Sequence, residues 1–452
     1  MVESISMMEA PRIVTEVPGP RSREMLEKQD KYETASRTYT RFFRMAVDRA
    51  SGSTVMDVDG NIFIDWFAGI CVLNLGHNHP VVRAAIERQL DRLVHINEVP
   101  TEARVRFMET LLSTLPGSLR NRAKVMFTVT GADACEAAVS LARHVSKGRT
   151  IVAFGGAYHG VAGHIVGATA NWHYREYAGL SAQDIYHLPY PYTYRFPVRM
   201  AEEDVSKAVV DMLRYLIRDP YSGAGKIGGV LVEPVQGEGG YIVPPKDFLP
   251  MLREVTEEEG IPLIVDEVQS GVGRTGKIWA SEHSSVTPDI MCISKSIGGG
   301  IPTSMIAYRP EYDEGLPPGF HLGTYRGNPL ALAAGEAILS YLKSSDLLPR
   351  VQRDGRKILE MFQEATERNP KLGEVRGLGF MIGVEFAGKD KRPEGEYVER
   401  LKHALFQNGL MMHSCGHYGN VMRFMAPLTI EDELVEKGME VFERESRKLA
   451  GK

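Results

Sequence analysis

The sequence predicts an α/β protein: a large domain with a mostly parallel, doubly wound sheet, and a smaller α+β domain built from the N- and C-terminal segments. Three observations carry that prediction. The chain has 452 residues, more than one ordinary hydrophobic core organises. From about residue 75 to 330, short apolar runs alternate with helical stretches, the pattern of parallel strands covered by helices on both faces. After about residue 330 the pattern turns helical and then returns to strand-like runs, so a second unit follows.

The elements follow in order. Residues 1–40 are polar and punctuated by proline, as in Pro18-Gly19-Pro20, and read as an arm with short helices. Residues 55–67 read as a small hairpin turning at Asp59-Gly60. In the large domain, residues 124–129, 150–154, 229–235, 262–266, 290–294 and 304–308 are short and apolar enough to be buried strands. Helices fit between them at 134–147 and 247–259. Two more helices are expected at 331–343 and 347–366, then strand-like runs at 375–386, 409–413 and 420–425. A last helix spans about 431–449, with Thr429 placed to cap it and Glu431 and Asp432 in its first turn. The domain limits that result are 1–65 for the arm and part of the small domain, 66–335 for the large domain, and 336–452 for the rest of the small one.

Composition narrows the function. Apolar residues make up 43% and charged residues 25%, an ordinary globular balance. The net charge of −5, with both signs mixed, lacks the basic surface of a nucleic-acid binder. No run reaches the roughly 18 apolar residues of a membrane span. Residues 1–12 carry acids and do not resemble a secretory signal. Cys71, Cys135, Cys292 and Cys415 form no CxxC pair, so neither a disulfide scaffold nor a metal site is expected, and a reducing cytoplasm fits.

Chemistry concentrates at strand ends. The run Ile290-Met291-Cys292-Ile293-Ser294-Lys295 puts a lysine just past a buried strand and before Gly298-Gly299-Gly300. A strand-end lysine is ordinarily a solvated charge. The glycines, however, let backbone approach a ligand closely, and a lysine beside apolar surface loses its proton readily, as Schiff-base chemistry requires. In Pro262-Leu263-Ile264-Val265-Asp266 a carboxylate ends an apolar strand. A buried aspartate must face a cation, a metal or a hydrogen-bond network. Alone it reads as the cap of the next turn. With Lys295 on a neighbouring strand, a protonated pyridine nitrogen becomes the better partner. Thr130-Gly131-Ala132-Asp133-Ala134 joins a strand end to a helix start, where free N–H groups bind phosphate, although the spacing is not that of a nucleotide motif. Tyr158-His159-Gly160 follows another strand; its aromatic is either a stacking platform for a flat ring or a half-buried surface residue.

Together these segments closely resemble the class III (subgroup II, ornithine/4-aminobutyrate type) aminotransferases of pyridoxal-phosphate (PLP) fold type I. The likeness runs from Asp59-Gly60-Asn61 to Arg423-Phe424 and is most specific from Val265 to Gly276 and around Lys295. It implies pyridoxal 5′-phosphate as cofactor, with Lys295 as the Schiff-base lysine and proton shuttle. Asp266 corresponds to the partner of the ring nitrogen, Val268 and Tyr158 to the residues on the two ring faces, and Gln269 to the partner of the ring hydroxyl. Gly131 and Ala132 correspond to the phosphate cup, while His159 and Glu233 lie near the cofactor. Thr324 corresponds to a threonine that reaches the phosphate from the other subunit, which implies a homodimer with shared active sites. On the substrate side, Arg423 matches the arginine that grips a carboxylate, Glu238 the glutamate that pairs with it, and Ile70 a pocket wall.

One departure bears on substrate. Relatives acting on glutamate or 4-aminobutyrate often carry arginine where Val161 stands. Arg326, where many relatives have glycine, is either a replacement charge or an interface residue. The run Thr324-Tyr325-Arg326-Gly327-Asn328 is similar to relatives that act on diamines, diamino acids and amino sugars. The expected reaction is amino transfer to a keto acid or aldehyde. A racemase or epimerase is the alternative, needing a second acid/base such as Tyr158 or His159 opposite Lys295. A cofactor-binding protein without catalysis is disfavoured, because lysine and aspartate are both present.

Overall fold

The computed structural model describes residues 4–178 and 184–451. It comprises two units, one of Met1–Pro80 with Arg350–Lys452 and one of Val81–Pro349. Both crossings lie later than the limits of 65 and 335 read from sequence. At the first, His77 bridges Gly52 and the Leu428 N–H donates to the Asn74 carbonyl, which ties this stretch to the smaller unit. At the second, helix Pro329–Ser344 packs on helix Glu102–Thr114 of the larger unit, so closely that a Cβ at Gly335 would lie 2.6 Å from Phe107.

The larger unit holds a seven-stranded sheet. Its order is Lys124–Thr128, Ser304–Tyr308, Ile290–Ile293, Leu263–Asp266, Ile227–Val232, Thr150–Phe154 and Ile185–Leu188. Ser304–Tyr308 runs antiparallel to both neighbours; the other pairings are parallel. Alternation within each strand divides the core between two faces. Val152, Phe154, Val230, Val232, Leu263 and Val265 meet helices Val205–Arg218 and Phe248–Glu258. Ile151, Ala153, Leu231 and Ile264 meet Ala134, Ala138 and Leu141 of helix Gly131–Ser146. Burial on both faces explains why these strands read as continuous apolar runs. Ile185–Leu188 did not read so: it is an edge strand, half-buried over three of its four residues.

The smaller unit holds two four-stranded sheets. Val47–Ser51, Thr54–Asp57 and Ile62–Asp65 form an antiparallel meander, with Leu410–Met411 added in parallel. The turn at Asp59-Gly60 stands where expected: Asp57 accepts from the Asp59 and Asn61 N–H groups, and Gly60 takes φ +89°. Leu372–Leu378, Met381–Phe386, Val421–Phe424 and His413–Cys415 form the second, antiparallel sheet. The arm contains a 13-residue helix, Pro20–Tyr32, with proline in its first turn. Thr429 does not cap the last helix. Its hydroxyl donates to the Leu75 carbonyl, and Glu431 is the N-cap of Asp432–Leu449.

Candidate active site

The parallel strands deliver their polar residues at their carboxyl ends, where open α/β sheets bind ligands. Asp266 ends Leu263–Asp266, and Cys292 of the neighbouring strand lies opposite it. Lys295 follows two residues past that strand with φ +51°, a left-handed conformation uncommon for a non-glycine residue. These two residues share a pocket of about 260 Å³ with Gly131, Ala132, Tyr158, His159, Val161, Glu233, Glu238, Val268 and Gln269. All belong to the larger unit.

Local sequence explains how they meet. Thr130 caps helix Gly131–Ser146, its side chain accepting from the Asp133 N–H at 3.2 Å, while Asp133 accepts from the Val129 N–H at 2.9 Å. Gly131 and Ala132, the first two residues of the helix, line the pocket, and N–H groups at a helix start have no intrahelical partner. Glycine is required at 131, where a Cβ would stand 2.9 Å from Val268, and at 160, where one would collide with Ala132. The second of these brings the Tyr158-His159 segment down onto the helix start.

Asp266 is almost wholly buried. Its Oδ1 accepts from the Val268 N–H at 2.9 Å, and its Oδ2 accepts from His159 Nδ1 at 2.7 Å and from the Cys135 thiol at 3.4 Å. Cys135 was read from sequence only as one of four scattered cysteines; nothing in a helix pattern shows which strand end it faces. Glu233 ties two loops together, accepting from the Tyr158 N–H at 3.0 Å and the Gly237 N–H at 2.8 Å. Burial pushes its carboxyl up to about 7; His159 and the two N–H donors oppose the rise, and Asp266 adds to it.

Four of the expected residues are not in this pocket lining. Thr324 is exposed on the loop before helix Pro329–Ser344. Arg326 is buried, donating to Asp133 at 3.2 Å and to the His321 carbonyl, and His321 also contacts Asp133 at 2.9 Å. Ile70 and Arg423 belong to the smaller unit. Ile70 sits in a left-handed turn, and Arg423 is buried in Val421–Phe424 opposite His413.

The donor set suits a flat, protonatable ring that carries a hydroxyl and a phosphate. Gln269 Oε1 is buried without a hydrogen-bond partner among the described residues, Gly131 and Ala132 bring a helix start to the pocket wall, and Asp266 supplies a buried carboxylate. Pyridoxal phosphate is such a group, and Lys295 lies beside the rest. Residues 34–445 match the aminotransferase class-III family. A diaminobutyrate–2-oxoglutarate aminotransferase of Rhizobium meliloti is 36% identical over 440 residues, 94% of this chain and 93% of its own. An alanine/serine racemase of Pyrococcus horikoshii is 34% identical over 450 residues, 97% of this chain and 93% of its own. The crystal structure of an (S)-enantioselective omega-transaminase from Thermomicrobium roseum superposes with a TM-score of 0.85 at 28% identity, over 95% of this chain and 98% of that one. The chain belongs to the class III aminotransferases, pyridoxal-phosphate enzymes of fold type I. Among the described residues no helix is long and apolar enough to cross a membrane.

Proposed function

We propose that this aminotransferase moves an amino group between an amine or amino acid, with diamines, diamino acids and amino sugars as the favoured donors, and a keto acid or aldehyde. The charge of the pocket supports this reading most. With Asp266 and Glu233 already engaged, Glu238 is the acid its lining offers a cationic donor group, and Val161 stands in the same lining in place of a cation that would hold a second carboxylate. The Rhizobium meliloti relative, named for a diamino acid, agrees with the donor side of this reading, while the 2-oxoglutarate in its name makes the acceptor the side the test must decide.

Pyridoxal phosphate supplies the electron sink that lets the donor's α-proton leave. Lys295 Nζ would hold the cofactor at rest and, once released, would be the base that accepts the donor's α-proton. Asp266 would hold the ring-nitrogen proton, Gln269 the ring hydroxyl, and the N–H groups of Gly131 and Ala132 the phosphate. Val268 and Tyr158 keep the ring in its plane. Glu238, in the pocket lining, serves the cationic end of the donor. Arg326, already engaged by Asp133, serves the loop rather than the substrate. The working unit is a homodimer in the cytoplasm. An exposed apolar loop around Thr324 supports the first statement, and four unbridged cysteines support the second.

A screen of donors and acceptors tests the reading, with the visible absorbance of the bound cofactor as readout. Diamino compounds should outperform glutamate, and 2-oxoglutarate should gain little over pyruvate. Val161→Arg should then favour 2-oxoglutarate by about one to two powers of ten, the worth of a charge-assisted hydrogen bond. Strong wild-type preference for glutamate and 2-oxoglutarate overturns the proposal, and loss of that preference in Arg326→Gly would identify the cation responsible. Inversion of a single amino-acid enantiomer without keto acid would favour a racemase instead. Borohydride reduction and peptide mapping should place the cofactor on Lys295.

A further inference from the structure

We propose that Cys135 is a positioning residue for the reaction: its thiol is the third donor that fixes the Asp266 carboxylate against the cofactor's ring nitrogen. This rests on reading Asp266 as the ring-nitrogen partner.

Cys135 stands one turn into helix Gly131–Ser146, on the face turned toward the sheet, and is fully buried. Its neighbours on that face are Ala134, Ala137, Ala138 and Leu141, so packing alone asks only for a small apolar side chain. What a thiol adds is a donor, and its acceptor is Asp266 Oδ2 at 3.4 Å. The thiol keeps its proton: the adjacent Cys292, burial and the Asp266 charge all push it well above its ordinary range. Cys292 is a second sulfur within hydrogen-bond reach of this thiol, with its own Sγ 3.8 Å from the Ala134 carbonyl, but the charged Asp266 carboxylate is the stronger acceptor.

The count of donors gives the contact its meaning. An ionised carboxylate offers about four lone-pair positions. Val268 N–H takes one on Oδ1, and His159 and Cys135 take the two on Oδ2. One direction, on Oδ1, remains for the ring nitrogen. The thiol therefore does more than neutralise a buried oxygen: it removes the alternative approach. It also joins two ends of the site. Gly131 and Ala132, which present N–H groups to the phosphate, begin the same helix that carries Cys135, so the contact ties the phosphate anchor to the ring anchor through one rigid turn.

The test compares Cys135→Ser, which keeps a donor, with Cys135→Val and Cys135→Ala, which do not, in the holoenzyme. Cys135→Val should lower kcat about three- to tenfold, the worth of one hydrogen bond. The donor KM should stay put. The pH midpoint of the cofactor's visible absorbance should move, and the cofactor should dissociate faster on dialysis. Cys135→Ser should recover most of each change. Asp266→Asn, run beside them, should lose several powers of ten in rate. If Val and Ala variants match wild type in kcat and absorbance midpoint while Asp266→Asn collapses, the proposal fails and the Asp266 reading survives. If Asp266→Asn keeps its rate and spectrum, the Asp266 reading fails first. If Ser and Val variants fall equally, with thermal midpoints falling in step, Cys135 is packing only and the proposal is overturned.

Discussion

Glu233 shows how much chemistry a single buried side chain takes on from its surroundings. Its two oxygens hold the segments of Tyr158 and Gly237 together, and burial raises its carboxyl from 4.5 to about 7. A folded-state value above the unfolded one means that the folded state binds the proton more tightly. The corresponding stability is full below about pH 4.5 and is lost as pH rises through about 7. At about 1.4 kcal/mol per pKa unit, the swing is on the order of 3 kcal/mol. Glu233→Gln cannot ionise, so denaturant unfolding of the apoenzyme at about pH 5 and about pH 8 should differ less in the variant than in wild type. The variant's absolute stability should also drop, since an amide has one acceptor oxygen for two N–H donors; the slope with pH is the readout. Parallel pH curves would show that Glu233 is ionised across this range. Glu233 was legible in the sequence only through its resemblance, whereas Lys295 and Asp266 announced themselves as charges closing apolar runs. Cys135 and the Arg326–Asp133 pair were not legible, because helix phase and loop closure over long sequence separations decide what those side chains meet.

Among the elements, the turn at residues 68–71 departs furthest from ordinary backbone. Ala68, Gly69, Ile70 and Cys71 take φ of 45°, 60°, 59° and 60° in succession. Only glycine is at ease there; the three others cost roughly 1–2 kcal/mol each. Asp65 holds the turn. Its Oδ1 accepts from the Phe67 and Ala68 N–H groups at 2.8 Å, and its Oδ2 meets His77 Nε2 at 2.8 Å. Burial alone would raise this carboxyl, but His77 and the two N–H donors outweigh it and leave it below the usual range. A depressed folded-state value contributes stability above the unfolded carboxylate range, and that stability is lost as pH falls through the depressed value. Asp65→Ala should therefore cost about 3 kcal/mol or more near neutrality, because several hydrogen bonds to a charged group vanish at once. The difference from wild type should shrink on acidification, which chemical denaturation at a series of pH values would show. A constant difference down to low pH would mean that the carboxylate's charge does not hold the turn. Sequence reading marked Ile70 as a pocket wall but missed this conformation: nothing in Ala68-Gly69-Ile70-Cys71 beyond its glycine signals a left-handed turn, and the buried acid that enforces it lies in the preceding strand. The hairpin of Thr54–Asp57 and Ile62–Asp65, by contrast, was legible from Asp59-Gly60, because that turn chemistry is local, whereas Val47–Ser51, the strand that makes it a meander, was not.

On the scale of the whole molecule, the doubly wound sheet was readable because strands buried on both faces are apolar throughout, while the edge strand Ile185–Leu188 lacks that mark. Strand order was not readable, being set by crossover connections rather than by composition. The surface poses the remaining question, which is what covers the loop bearing Thr324. Leu322 is 72% exposed and Tyr325 is 69% exposed on either side of it. Val94, Ile96 and Val99 are exposed on a neighbouring segment, held to the loop by Asn328 donating to the Val94 carbonyl at 3.2 Å and by the His95 and Tyr325 rings 5.6 Å apart. Clustered apolar exposure of this kind marks an interaction surface. A second copy of the chain is the occupant that the proposed role of Thr324 requires, since this loop lies outside the pocket lining of its own subunit. A charge placed in such a contact must be desolvated without a partner. Leu322→Glu combined with Tyr325→Glu should therefore shift sedimentation from dimer to monomer. The monomer should also lose cofactor on dialysis, because each phosphate loses the threonine supplied by the other copy. Tyr221→Glu, equally bulky and 94% exposed elsewhere, should change neither property. A wild-type chain that sediments as a monomer while retaining cofactor and full turnover would remove Thr324 from the site and leave the apolar loop without this explanation.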